Sequence, residues 1–177
     1  MSKTDLASRV RAAVRDVPDF PQPGIIFKDI TPVLGDAVLF NDVVTHFADQ
    51  LRPHHIDVVA GIESRGFIFG APLANHLNTG FVPIRKPGKL PAERVRVDYA
   101  LEYGSDALEA HADAIAPGQR VLIVDDVLAT GGTANAAAKL IRQLKGEVVG
   151  FCIVIELGFL NGREKLEQTP LHTLITY

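Results

Sequence analysis

The chain has 177 residues, enough for one sizeable core, and 47% of them are hydrophobic, which argues against disorder. With 18 basic and 21 acidic residues the net charge is −3, so nothing in the charge balance calls for a nucleic acid or a membrane surface as partner. The first ten residues lack the apolar core of a signal peptide and no later apolar run approaches a membrane span, so a cytoplasmic protein is expected.

In chain order, residues 4–15 predict an amphipathic helix with Leu6, Val10 and Val14 on one face, ended by Asp16-Val17-Pro18. A second helix is expected over 37–52, a strand over 56–62, a helix over 66–77 and a strand over 80–84. An alternating stretch follows at 95–101, then a strand at 121–124, a helix at 133–145 and a strand at 148–155. Residues 160–168 suggest a short helix and 171–176 a last edge strand. Strands alternating with helices of this length predict an α/β fold, a central mostly parallel sheet flanked by helices. No repeat or linker divides the chain, so a single domain with a small N-terminal flap is expected. Cys152 lies in the apolar run from Val148 to Ile155 and reads as a buried structural thiol. The six histidines show no metal-ligand spacing.

The most informative run is Val121-Leu122-Ile123-Val124-Asp125-Asp126-Val127-Leu128-Ala129-Thr130-Gly131-Gly132-Thr133-Ala134. Four apolar residues fit a strand buried on both faces, which puts Asp125 and Asp126 at its carboxyl end, where open α/β sheets bind ligands. The Thr-Gly-Gly-Thr turn leads into an Ala-rich helix. Glycines allow close backbone approach, and free N–H groups, hydroxyls and the helix dipole favour a phosphate there. Adjacent aspartates alone are usually a solvated turn and Gly-Gly alone a loop. Only the order of strand, acids, glycines and helix points to a ligand with both hydroxyls and phosphate. Neither the P-loop pattern nor the dinucleotide pattern is present.

That order resembles the phosphoribosyl pyrophosphate motif of the type I phosphoribosyltransferases. Four further segments, Phe20 to Pro32, Gly61-Ile62-Glu63-Ser64-Arg65-Gly66-Phe67, Arg85-Lys86-Pro87-Gly88-Lys89-Leu90-Pro91 and Leu101-Glu102-Tyr103-Gly104, resemble signatures of its adenine-specific branch. The resemblance covers nearly the whole chain. It implies a Mg²⁺-dependent transfer of phosphoribosyl from phosphoribosyl pyrophosphate to adenine, giving AMP and pyrophosphate in purine salvage, by a homodimer.

The same resemblance assigns residues. Asp125 and Asp126 would hold the ribose hydroxyls, and Ala129, Thr130, Gly131, Gly132, Thr133 and Ala134 the 5′-phosphate. Ser64 and Arg65, whose guanidinium fork suits phosphate oxygens, would meet pyrophosphate, and backbone strain including a cis peptide beside Ser64 would suit such a site. Residues 85–104 would form a lid, mobile without ligand, with Arg85, Lys86 and Lys89 facing the pyrophosphate and water excluded on closure. Without the resemblance, so basic and turn-rich a segment reads equally as a surface hairpin. Residues 1–34 would form the N-terminal helix and base-binding hood, where Phe27, with Val127, sandwiches adenine while backbone of Ile26 and Lys28 reads its amino face. Such a site disfavours hypoxanthine and guanine, because keto groups leave its polar atoms unpaired. Glu102 would manage a proton on the adenine ring, joining Asp125 and Asp126 as a catalytic residue. The metal would be held mainly by substrate and water, near Asp125 and Asp126, with no direct protein ligand expected. Two other readings are a transferase for another purine such as xanthine, and a non-catalytic regulator that senses phosphoribosyl pyrophosphate. About twenty residues before Phe20 are too few for a DNA-reading module, which disfavours the latter.

Overall fold

The chain divides into two units, Met1–His46 and Phe47–Tyr177, in a computed structural model that describes residues 3–100 and 105–177. In the first unit α1 (Lys3–Ala13) buries Leu6 and Val10, whose spacing puts them on one helix face. The expected continuation to residue 15 does not form. Instead β1 (Arg15–Pro18) pairs antiparallel with β2 (Ile26–Asp29), Arg15 opposite Asp29 and Pro18 opposite Ile26. Both the Phe20–Pro21 and the Glu63–Ser64 peptide bonds are cis. Asp29 accepts the backbone N–H and the hydroxyl of Thr31, each at 2.9 Å, and starts the short helix α2 (Thr31–Gly35), which the sequence reading lacked. The helix α3 (Ala37–Leu51) ends one residue short of its expected span, and its first N–H groups, those of Val38 and Leu39, donate to Asp36 Oδ1 at 3.0 Å.

The second unit is built on parallel crossovers. β3 (Val58–Ile62), α4 (Arg65–Leu77) and β4 (Gly80–Ile84) come first. Next β5 (Arg94–Ala100) and β6 (Ser105–His111) make an antiparallel hairpin, joined to the end of β4 by a bridge between Arg85 and Glu109. Then come β7 (Arg120–Leu128), α5 (Gly132–Gln143) and β8 (Glu147–Glu156), and the chain closes with β9 (Leu171–Thr176). Two 3-10 turns, Gly158–Leu160 and Gly162–Leu166, replace the short helix expected at 160–168, because Asn161 between them takes a left-handed conformation at φ +51°.

The main sheet has five strands in the order β4-β3-β7-β8-β9, every neighbouring pair parallel, which bears out the expected α/β class. Residues alternate between its two faces. Val58, Ala60, Ile62, Val121, Ile123, Phe151 and Ile153 share a core with Ala134, Ala137, Leu140 and Ile141 of α5. The intervening Gly61 and Val124 meet α4, where a side-chain carbon at Gly70 would lie 3.5 Å from the Gly61 Cα and 3.6 Å from the Val124 Cβ. Helices therefore cover both faces, which is why β3 and β7 read as unbroken apolar runs. Cys152 is buried in β8 and burial pushes its thiol up, so it is an inert structural residue, as expected. Among the described residues no helix is long and apolar enough to cross a membrane.

Candidate active site

The strand order creates the site. From β3 the chain steps outward to β4, then returns so that β7 lies on the other side of β3 and growth continues through β8 to β9. The sheet thus reverses direction between β3 and β7, and the crevice beyond their carboxyl ends is where such sheets bind ligands. The end of β3 carries Glu63, Ser64 and Arg65, and the end of β7 carries the two aspartates and the glycine turn.

Asp125 and Asp126 lie inside β7, not beyond it, which corrects the strand limit of 124. Pairing with β3 stops at Val124, whereas β8 continues to pair, with Ile153 opposite Asp125 and Glu156 opposite Leu128. The acids are therefore held by a strand on one side and, where β3 has ended, by the start of α4, where a side-chain carbon at Gly66 would lie 3.2 Å from the Asp125 Cα. Asp126 is 2% exposed and its carboxylate accepts from Arg65 Nε, while the Arg65 side chain remains 42% exposed. Asp125 Oδ1 accepts the N–H of Asp126 at 2.9 Å. Burial first, then the Asp126 charge, pushes the Asp125 carboxyl well above its ordinary value of 3.8.

Beyond Leu128, Gly131 takes φ +78° and caps α5 without any side-chain hydrogen bond. The first N–H groups of that helix are thus left for an anion. The turn is braced from behind by another glycine. A side-chain carbon at Gly131 would collide with the Gly162 carbonyl, and one at Gly162 with the Ala129 carbonyl. Next to Gly162, Arg163 donates to both Glu156 oxygens, at 2.9 and 2.6 Å, pulling the Glu156 carboxyl below its ordinary value and fixing this segment to the end of β8.

Glu63 links the ends of β3 and β4, accepting from Arg85 Nε at 3.0 Å and from the Lys86 N–H at 2.8 Å. The Arg85 contact is the main reason its carboxyl is held below the ordinary range. Lys86 Nζ donates to Asp106 and, at 3.1 Å, to Tyr99 Oη, and Thr133 Oγ1 donates to the same phenol at 3.3 Å. Buried Glu109 accepts from the Gly88 N–H at 3.0 Å and lies 3.2 Å from Arg94 Nε, so the basic turn after β4 is pinned to the hairpin. Lys89 is exposed on that turn.

Within the first unit, Phe27 packs edge-on to Phe20 with ring centroids 5.2 Å apart, and Ile26 is 56% exposed. Lys28 Nζ donates to Asp16 Oδ1 at 2.7 Å across the hairpin. Among the described residues no group of three or more His, Cys, Asp or Glu side chains could hold a metal by itself.

Comparison with known proteins settles the lineage. The phosphoribosyl transferase domain matches residues 34–170. An adenine phosphoribosyltransferase of Myxococcus xanthus is 54% identical over 177 residues, 100% of this chain and 96% of that one. The chain belongs to the adenine phosphoribosyltransferase family. A crystal structure of the Thermoanaerobacter pseudethanolicus adenine phosphoribosyltransferase superimposes with a TM-score of 0.94 at 52% identity, covering 97% of this chain and 99% of the other. The Saccharomyces cerevisiae enzyme, crystallised with an imino-altritol bisphosphate and adenine, gives 0.93 at 43% identity, with 97% and 99% covered.

Within the second unit, contacts join the acid-and-glycine run of β7 to the Glu63-Ser64-Arg65 turn and to the Arg85-Lys86 pair. Arg65 and Asp126 touch, and one hydrogen-bonded chain runs from Glu63 through Lys86 and Tyr99 to Thr133. Glu102 lies outside the described residues, and Val127 is half-buried on β7. Residues 94–100 of the expected lid form a strand of the hairpin. Sequence reasoning missed Glu63, Tyr99, Asp106, Glu109 and Gly162. The signal for Glu63 was present, since an acid ending one strand faces a basic pair ending its neighbour.

Proposed function

We infer that this chain transfers the phosphoribosyl group of phosphoribosyl pyrophosphate to adenine, in the cytoplasm and as a homodimer. The observation that carries the reading is the pairing of two carboxylates with an uncapped helix start at the switch point of the sheet. It suits one ligand, a sugar with free hydroxyls and a phosphate at the far end.

In this account Thr130, Gly131, Gly132 and Thr133, flanked by Ala129 and Ala134, grip the 5′-phosphate with backbone N–H groups and hydroxyls. Asp125 and Asp126 hold the ribose hydroxyls. Ser64, Arg65, Arg85, Lys86 and Lys89 face the departing pyrophosphate, with residues 85–104 as its lid and residues 1–34 as the hood of the base. Adenine stacks on Phe27, and backbone groups of Ile26 and Lys28 read its amino face. A ring nitrogen of adenine bonds to the anomeric carbon as the bond from that carbon to pyrophosphate oxygen breaks. Positive charge builds on the ribose in between, and the carboxylates stabilise it. Glu102 manages the proton on the imidazole side of the base.

Asp125, whose ionisation is disfavoured by burial and then by the neighbouring Asp126 charge, and Asp126 beside it are hard oxygen donors, so the surroundings would fit Mg²⁺. The ion would be held mainly by substrate and water, near these two residues, with no direct protein ligand. When bound, the ion would supply positive charge that offsets the charge of the leaving pyrophosphate.

A panel of purines with phosphoribosyl pyrophosphate and Mg²⁺ tests the reading. Nucleotide should form from adenine and only weakly from hypoxanthine, guanine or xanthine; folded protein that makes no AMP overturns it.

A further inference from the structure

One phenol ties together two side chains that the proposed reaction assigns to different phosphates. Tyr99 Oη lies 3.1 Å from Lys86 Nζ, 3.3 Å from Thr133 Oγ1 and 3.2 Å from Asp106 Oδ2. A phenol has one proton and two lone pairs, and here all are used. Its proton goes to Asp106, and its oxygen accepts from the lysine ammonium and the threonine hydroxyl. Lys86 also donates directly to Asp106 and lies 5.6 Å from the centre of the Tyr99 ring. Tyr99 and Asp106 sit directly opposite each other in the β5–β6 hairpin, so their side chains share a face. Partial burial opposes charge on both Lys86 and Asp106. Their mutual contact nevertheless holds the carboxyl below and the ammonium above its ordinary value.

A carboxylate beside an ammonium and a hydroxyl mimics what a phosphate oxygen would offer those same donors. We propose that Asp106 and Tyr99 are positioning residues that stand in for substrate phosphate, holding the Lys86 ammonium and the Thr133 hydroxyl until phosphoribosyl pyrophosphate displaces them. The inference rests on the assignment of Lys86 to pyrophosphate and Thr133 to the 5′-phosphate. Its consequence is that Asp106 weakens binding and hastens release of pyrophosphate, acting through Lys86. The Lys86 and Asp106 side chains are 35% and 27% exposed, so water already screens the pair and the expected effect is moderate.

The test is a calorimetric titration of magnesium pyrophosphate into the wild type, Asp106→Asn, Lys86→Met and the double variant. Asp106→Asn keeps the side chain's size and removes its charge, and should tighten binding about three- to tenfold. In the Lys86→Met background the same change should do nothing. Tyr99→Phe, which removes the shared oxygen, should also tighten binding. No tightening in Asp106→Asn, looser binding in Tyr99→Phe, or equal tightening by Asp106→Asn in both backgrounds, as bulk charge would give, overturns the proposal. Lys86→Met alone separates the two levels. If it leaves affinity unchanged, the pyrophosphate assignment of Lys86 fails and the proposal with it; if it weakens binding while Asp106→Asn is silent, only the stand-in role fails.

Discussion

An ionised carboxylate at Asp125 is disfavoured by burial and then by the charge on Asp126, with Arg65 offsetting part of this. Because its folded-state value is raised above 3.8, the stability it contributes is present at low pH and is lost as pH rises through that raised value. Asp125→Asn removes the ionisation altogether. Thermal melts should therefore show the variant gaining on the wild type as pH rises above about 4, while its transferase activity falls. A melting difference that does not change with pH would contradict the stated cause. At Glu102 the expectation concerns rate. Glu102→Gln should lower kcat about a hundredfold or more with KM for adenine changed far less, since a lost proton transfer acts in the transition state. Steady-state kinetics with near-wild-type turnover would remove the proton role.

At the scale of elements, the glycine turn before α5 depends on a segment some thirty residues downstream. Gly162→Ala would drive a side-chain carbon into the Ala129 carbonyl and push the turn forward. KM for phosphoribosyl pyrophosphate should rise about tenfold or more with KM for adenine much less affected, because strain at a tight backbone site is of order 1–3 kcal/mol. Equal loss for both substrates would mean general unfolding instead. Gly162 was invisible in the sequence because its importance is a backbone contact with Gly131, not a motif. The central strands β3, β7 and β8 were legible, since burial on both faces leaves apolar runs, and β4 and β9 were read as short strands and lie at the sheet edges. β6 was not: Ser105-Asp106-Ala107-Leu108-Glu109-Ala110-His111 holds residues depleted in strands, and pairing with β5 overrides that preference. The β1–β2 hairpin was hidden likewise, because residues 15–18 have only four partners and all of them lie beyond the turn. Among site residues, those with local chemistry were read, namely the acids, the glycines and the basic turn. Those defined by a distant partner, Glu63 on Arg85 and Asp106 on Lys86, were not.

For the whole molecule, the switch between β3 and β7 decides where chemistry can occur, and full-length identity to adenine phosphoribosyltransferases decides which chemistry. The homodimer inferred above predicts a sedimentation mass about twice the 19.1 kDa of one chain, and a single-chain mass at micromolar concentration would contradict it. The central claim is that one site grips phosphoribosyl pyrophosphate and delivers its sugar to adenine. Phosphorus NMR of a single mixture of protein, phosphoribosyl pyrophosphate, Mg²⁺ and adenine tests it most directly. The substrate's diphosphate signals should give way to free pyrophosphate as its 5′-phosphate signal becomes that of AMP, and neither change should occur at a comparable rate with hypoxanthine. Persistence of the substrate signals, or release of pyrophosphate at the same rate without adenine, would contradict the account.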